Sequence, residues 1–402
     1  MKVPFYRPSI GDREIEAVVS CLRSGWLTTG PATRAFEEEF AKYVGAKHAV
    51  ALNSCTAALH LALEASGIQR GDLVLVPTMT FAATAEVVRY FDAIPVFVDC
   101  DASQCIDVGA ARATLERLAR GDQVPGVPGS HGPVRAMIPM HYAGQMVDVH
   151  ALRALASEYQ LALIEDAAHT LPASFRRHVE APWQSVGTTA DITCFSFYAN
   201  KCITTGEGGM AVTDDETVAD RMRLMSLHGM SKDAWKRFTA TGSWYYEVVA
   251  PGFKYNLTDI AAAIGRVQLA RVEELWDERR RIAAAYQRAL ADVPGLELPA
   301  EQPHRRHSWH LFSLRLDLAV WKPGRDAFID GLKERGIGAS VHWMPLHMQP
   351  YYRETYQLQL DDFPVAAALW PRLVSLPLFP GMTTEEIELV VEAIRSMSRT
   401  LP

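Results

Sequence analysis

The chain is poor in the features that mark several protein classes. Its six cysteines include no Cys-x-x-C pair and no paired metal spacing, which argues against a disulfide scaffold or a zinc module. Reduced core thiols in a cytoplasmic protein are the expectation. No apolar run is long enough to span a bilayer, and Met1-Lys2-Val3-Pro4-Phe5-Tyr6-Arg7-Pro8 lacks the apolar stretch of a secretory signal. Basic charge is scarce too: 40 Lys and Arg against 47 Asp and Glu leave a net charge of -7, so neither nucleic acid nor an anionic membrane surface is an expected partner. The phosphate loop G-x-x-x-x-G-K-[ST] is absent, and no G-x-G-x-x-G follows the first strand. There is no internal repeat and no low-complexity tract.

What remains is an ordinary globular composition, 49% hydrophobic and 22% charged over 402 residues. That length predicts two subdomains. Short β-branched runs alternate with helical patterns from residue 47 onward. Strands are expected at 49–52, 73–76, 95–98, 137–140, 161–164, 192–197 and 210–212, with helices at 56–65 and 82–90. Such alternation predicts an α/β fold with a mostly parallel sheet covered on both faces. Residues 121–133, rich in Gly and Pro, read as a surface loop. One long helical pattern without internal Pro covers 259–291 and would link residues 1–258, an N-terminal arm and large domain, to a smaller C-terminal α/β domain over 259–402. In the latter, strands are expected at 311–316 and 340–342 and helices at 325–335 and 384–397.

Ligands in open α/β sheets bind beyond the carboxyl ends of the strands, and two polar residues fall there. Asp166 follows the run Leu161-Ala162-Leu163-Ile164; Lys201 lies just past 192–197, before Thr204-Thr205-Gly206-Glu207-Gly208-Gly209. A desolvated lysine amine loses charge and becomes a nucleophile toward an aldehyde. In isolation Lys201 reads as a surface lysine in a glycine loop and Asp166 as a turn or cap residue; their company is what points to chemistry. A strand-end carboxylate suits a pyridinium partner, the electronic requirement of pyridoxal phosphate. Asn53-Ser54-Cys55-Thr56-Ala57-Ala58 joins a strand to a helix through small residues, offering either backbone N–H groups to an anion or a plain N-cap. Ser196 adds a hydroxyl, and Phe81 an aromatic face, although alone it would read as core.

Six segments then carry a resemblance: residues 24–31 (Ser-Gly-Trp-Leu-Thr-Thr-Gly-Pro), 54–60, His141-Tyr142-Ala143-Gly144, Glu165-Asp166-Ala167-Ala168-His169, 196–209 and 252–259. In this order the chain resembles the DegT/DnrJ/StrS family of sugar-nucleotide aminotransferases, a branch of fold-type I pyridoxal-phosphate enzymes. The resemblance implies that Lys201 forms the Schiff base with pyridoxal 5'-phosphate and that Asp166 pairs with the pyridine nitrogen. It implies phosphate contacts from Thr56, Ala57 and Ser196, ring stacking by Phe81, and His169 beside the phenolic oxygen. Asn256 matches a residue that reaches the neighbouring subunit's phosphate, implying a homodimer with composite sites. Related sugar dehydratases carry histidine where this chain has Lys201, so transamination is favoured over deoxygenation; the intact Lys201–Asp166 pair likewise disfavours a non-catalytic regulator.

The implied substrates are L-glutamate as amino donor and a nucleotide-linked keto sugar as acceptor. Residues 195–209, 227–230 and 375–384 are similar to the branch that makes UDP-4-amino-4-deoxy-L-arabinose, which favours a 4-keto sugar. Residues 121–133 and 176–185 are longer than that pattern, and Phe81 replaces its tryptophan, so 3-keto sugars and keto-cyclitols stay open as acceptors. Lys232, Lys236, Arg237 and Lys254 are candidates for the diphosphate or, individually, parts of a solvated basic face. Trp26, Thr29, His310 and His342 are candidates for the sugar pocket, with packed core or interface as the alternative for the large side chains.

Overall fold

The computed structural model describes residues 2–230 and 246–399. Its strands are β1 His48–Leu52, β2 Leu73–Pro77, β3 Ile94–Val98, β4 Val134–Met137, β5 Ala162–Asp166, β6 Ser174–Phe175, β7 Gln184–Ser185, β8 Ile192–Ser196, β9 Gly209–Thr213, β10 Leu296–Glu297, β11 Arg305–Arg306, β12 Phe312–Leu316 and β13 Leu373–Leu376. Seven of them form the central sheet, in the order β1-β9-β8-β5-β4-β2-β3. β9 runs antiparallel to both neighbours, and every other pairing in that sheet is parallel. The mostly parallel α/β sheet expected from the alternation is therefore present.

The strands of the central sheet are mostly apolar because both faces of that sheet are largely buried. In β1, Ala49 and Ala51 join one core cluster, which contains Phe36 and Phe40 of the helix Pro31–Val44; Val50 and Leu52 join the other, with Leu59 and Leu63 of the helix Cys55–Ala65. A third cluster unites Ile282, Tyr286 and Leu290 of the helix Val272–Leu290 with Phe312 and Leu314 of β12, Val374 of β13, and Val390 and Ile394 of the helix Thr384–Ser398. Val3 also packs there.

Three expected elements differ. The strand expected at 137–140 is instead β4, three residues earlier, because Pro139 has no N–H to continue a ladder. Beyond it Ile138 N still donates to Leu75 O at 2.8 Å, and Met140 forms a single bridge to Asp166. The strand expected at 340–342 reduces to one bridge between Ser340 and Ser375. The helix expected over 259–291 breaks at Arg271 into Asp259–Ala270 and Val272–Leu290. No proline marks that break. It coincides with a tertiary tie, in which Arg271 donates to the buried Glu14 carboxylate at 2.7 Å and to the Ser9 hydroxyl at 3.2 Å.

Candidate active site

The parallel strands deliver Asp166 and Ser196 to the same edge of the sheet, as the last residues of the neighbouring β5 and β8. Past Ser196 the chain folds into a loop pinned across its base. Phe197 N donates to Gly208 O at 2.9 Å, and Thr205 N donates to Phe197 O at 2.9 Å. Within it Lys201 N donates to Tyr198 O at 2.9 Å. Arg279, from the helix Val272–Leu290, donates to the carbonyls of Lys201 and His310 at 3.4 Å and of Leu378 at 3.2 Å. It thus ties the lysine loop to the C-terminal layers. No sequence motif singled out Arg279; its signal is tertiary.

Asp166 is buried. Its Oδ2 accepts from Thr84 Oγ1 at 2.8 Å and its Oδ1 from Ala168 N at 3.1 Å. Burial raises its pKa, while those two donors and the positive charge of Lys201 oppose the rise. For Lys201 the balance is mirrored: burial lowers its pKa, and Asp166 and Cys55 oppose. The two groups therefore share one desolvated space in which each favours the other's charge. Thr84, absent from the sequence-based set, is the direct partner that orients Asp166. Only its spacing from Thr80, whose hydroxyl lies 2.7 Å away, hints at such a role.

Three imidazoles gather beside the lysine. The His169 and His310 rings lie 4.2 Å apart and tilted, and Trp343 packs against His169 at 4.9 Å and His342 at 5.5 Å. Burial and the Lys201 charge lower all three pKa values, that of His342 to about 3. All three are neutral at physiological pH. His169 Nδ1 accepts from Ala143 N at 3.2 Å, so in the neutral ring the proton sits on Nε2, available as a donor. His310 Nδ1 is buried without a partner, whereas His342 Nδ1 lies 2.8 Å from Ser375 Oγ. Phe81 is 58% exposed, high for so large an apolar ring, and tilts toward Trp343 with centroids 6.3 Å apart. Trp343 is the aromatic that sequence reasoning missed, since nothing in its neighbourhood signals its contacts.

An anion end completes the arrangement. Ser54 caps the helix Cys55–Ala65, its Oγ accepting from Ala57 N at 3.0 Å. The Ala57 amide is thereby committed to the cap, while the first-turn amides of Cys55 and Thr56 have no intrahelical acceptor. Ser196 Oγ accepts from Tyr198 N at 3.3 Å. β9 enters against this turn so closely that a Cβ on Gly209 would lie 2.4 Å from Ser54 C and 2.6 Å from Cys55 N. Gly209→Ala is accordingly expected to push the turn away from the sheet. It should cost about 1–3 kcal/mol of stability and weaken anion binding there, read as a lower Tm together with a weaker cofactor Kd.

The remaining candidates lie elsewhere. Asn256 Nδ2 donates to Thr29 Oγ1 at 2.6 Å, and both residues line a separate cavity with Arg34, Glu37 and His48. Trp26 covers Gly30 and donates from Nε1 to Thr29 O at 3.1 Å, lining a further cavity with Arg13 and Arg266. Lys254 is exposed, its carbonyl accepting from Asn53 Nδ2 at 3.2 Å. Two of the sequence segments prove to be one assembly: the Asp259 carboxylate accepts from the amides of Gly30, Ala32 and Thr33 at 2.7–3.0 Å. Lys232, Lys236 and Arg237 fall outside the described residues. Among the described residues no group of three or more His, Cys, Asp and Glu could hold a metal, and no helix is long and apolar enough to cross a membrane.

A desolvated lysine facing a strand-end carboxylate, with a donor imidazole and an anion-ready helix start, defines a site for amino-group transfer. Comparison with known proteins agrees. Residues 8–395 match the profile of the DegT/DnrJ/EryC1/StrS aminotransferase family. The chain is 42% identical, over 98% of its length and 97% of the relative's, to the Spore coat polysaccharide biosynthesis protein SpsC of Bacillus subtilis. Among solved structures it is similar to the putative sugar aminotransferase Spr1654 from Streptococcus pneumoniae in its PLP-form, at 30% identity and a TM-score of 0.85 over 99% of this chain and 98% of that one. It also resembles Helicobacter pylori PseC, an aminotransferase involved in the biosynthesis of pseudoaminic acid, at 26% identity and a TM-score of 0.87 over 100% of both chains. The chain belongs to the DegT/DnrJ/EryC1/StrS aminotransferase family, and its cofactor is pyridoxal phosphate. The residues present fit that group: a buried carboxylate for a ring nitrogen, an open aromatic face, an Nε2 donor and a small-residue turn for a phosphate.

Proposed function

We propose that this chain transfers the amino group of L-glutamate to a nucleotide-linked keto sugar, with a 4-keto sugar as the first-choice acceptor. The observation that carries the reading is the lysine itself, held in one desolvated space with Asp166, the one in the loop that follows β8 and the other at the end of the neighbouring β5. Pyridoxal phosphate supplies an aldehyde and an electron-withdrawing ring when bound. Asp166 holds a proton on the ring nitrogen, and His169 donates from Nε2 to the phenolic oxygen. Thr56, Ala57 and Ser196 form the phosphate end, the Ala57 contribution limited by its cap to Ser54, and Phe81 covers the ring. Lys201 would hold the cofactor through its aldehyde and, when free, would serve as the base that takes the proton from the substrate carbon and the acid that delivers it to the cofactor carbon. Trp26, Lys254, His310 and His342 are assigned to the acceptor, His310 on the strength of its packing against His169 and His342 on that of its packing against Trp343.

Asn256 is assigned to the phosphate of the neighbouring subunit across a homodimer face and Thr29, its hydrogen-bond partner, to the acceptor; their cavity, which contains none of this chain's lysine-site residues, supports a site shared between subunits. The sugar class is supported by the relatives, which are proteins of spore coat polysaccharide and pseudoaminic acid biosynthesis. The test has two halves. L-glutamate is expected to bleach the visible absorbance of the loaded enzyme and release 2-oxoglutarate. The resulting amino form is then offered a panel of nucleotide-linked 3-keto and 4-keto sugars, with products resolved by mass and NMR. Amination of a 4-keto member is expected. Reaction of a free cyclitol ketone with none of the nucleotide sugars would reject the acceptor assignment, and no bleaching by any amino donor would reject the amino transfer.

A further inference from the structure

A cleft of about 720 Å³ lies between the small sheet of β11, β6 and β7 and the helix Val272–Leu290. None of the residues assigned to amino transfer lines it. Its charge is opposite to that of the chain as a whole: Arg176, Arg280, Arg305 and Arg306 line it against two carboxylates, Glu273 and Glu301, in a protein of net charge -7. Part of one wall is the stretch 176–185, which contributes Arg176, Trp183 and Ser185 and has no part in the amino-transfer site.

All four guanidinium groups are laid on aromatic rings. Arg176 sits 4.5 Å over Trp183, Arg305 4.8 Å over Phe175, and Arg280 and Arg306 lie 4.7 and 3.8 Å from Trp276. Stacking immobilises a guanidinium while leaving its in-plane N–H edges for a planar or tetrahedral anion. Protein partners take some of those edges: Arg176 Nη1 donates to Val179 O at 2.7 Å, Arg280 to Asp277 at 2.8 Å, Arg305 Nε to Met146 O at 2.9 Å, and Arg306 to Glu273. Yet Arg176 Nε and Arg306 Nε are buried with no acceptor, so the internal contacts do not exhaust the cluster. Buried unpaired donors are costly, and a polyanion in the cleft would offset part of the accumulated positive charge. Trp183, 47% exposed with Arg176 over its ring, keeps apolar surface open beside the cations.

We propose that this cleft is a second ligand site, for a pyrophosphate-bearing molecule, separate from the amino-transfer centre. The arginines hold the phosphates, and the volume leaves space for a nucleoside whose base lies on Trp183. The proposal stands on the cleft alone and does not depend on the acceptor sugar.

Calorimetric titration of the cofactor-loaded enzyme with inorganic pyrophosphate, and separately with UDP, tests it in the wild type, Arg176→Ala and Trp183→Ala. The expected result is a loss of about tenfold or more in pyrophosphate affinity for Arg176→Ala, with kcat and KM for L-glutamate unchanged. UDP binding at the amino-transfer centre is common to all the proteins and cancels. A further loss of UDP affinity in Trp183→Ala identifies a nucleoside diphosphate as the ligand; loss in Arg176→Ala alone identifies free pyrophosphate chemistry. If Arg176→Ala does not fold, the exposed Arg280→Ala carries the same test. Affinity for both probes unchanged by the arginine substitution overturns the proposal, and it does so whether or not the enzyme aminates a sugar.

Discussion

Lys201→Ala is expected to reduce turnover by about 10⁴-fold or more, because one side chain serves both as nucleophile and as proton carrier. The variant should fold. Burial disfavours the charged form of the lysine amine, so deleting it removes a desolvation cost along with the attraction to Asp166. Little change in Tm is therefore expected beside a collapse of kcat. Lys201→Arg separates the two functions of the residue. It keeps a cation near Asp166, but a guanidinium stays protonated and is no nucleophile at neutral pH. It should be as inactive as the alanine variant in a single-turnover assay with L-glutamate. A Lys201→Arg protein retaining even a hundredth of wild-type kcat would remove this residue from the chemistry.

Asp166→Asn carries the second large effect, about 10³-fold in kcat, since the neutral amide cannot hold a proton on a ring nitrogen through charge. The geometry should survive, as the amide can still meet Thr84 Oγ1 and Ala168 N. The pH dependence of stability supplies an independent readout. Burial raises the Asp166 pKa, so the folded chain favours the protonated acid. That contribution is fully present below the unfolded carboxyl range, near 4, and is lost as pH rises through the raised folded value. Above it the cofactor-free wild type bears the cost of a buried carboxylate. Asn carries no such charge, so thermal melts of the two cofactor-free proteins should diverge as pH rises from about 4 toward 7, the variant gaining. Adding pyridoxal phosphate should narrow the gap by giving the wild-type carboxylate a cationic partner. Parallel melting curves across that range would contradict the charge state assigned to Asp166.

The sheet was legible in the sequence because its strands are short, mostly apolar runs separated by helical periods. Local patterns also located Asp166, Lys201 and the Ser54 turn at strand ends. Contacts between distant segments were not legible. Thr84 and Trp343 reach the site only through tertiary packing, and Arg279 only through carbonyls on the lysine loop, at His310 and at Leu378. The break at Arg271 has the same origin, in a tie to Glu14 that no helical periodicity encodes. The β4 displacement was readable in principle, since Pro139 lies inside the expected strand. The segment containing Trp26 and the segment containing Asn256 were recognised separately, and their union through Asp259 and Thr29 was invisible without coordinates.

The position of β9 between β1 and β8 also bears on synthesis of the chain. The helix start at Ser54 leaves the ribosome early, yet the strand that buttresses it, Gly209–Thr213, is made more than 150 residues later. Until β9 inserts, β1 has no strand partner in the sheet and the lysine loop has no base. A nascent chain arrested before residue 209 should therefore be unable to retain pyridoxal phosphate, however much of the parallel half of the sheet has already formed.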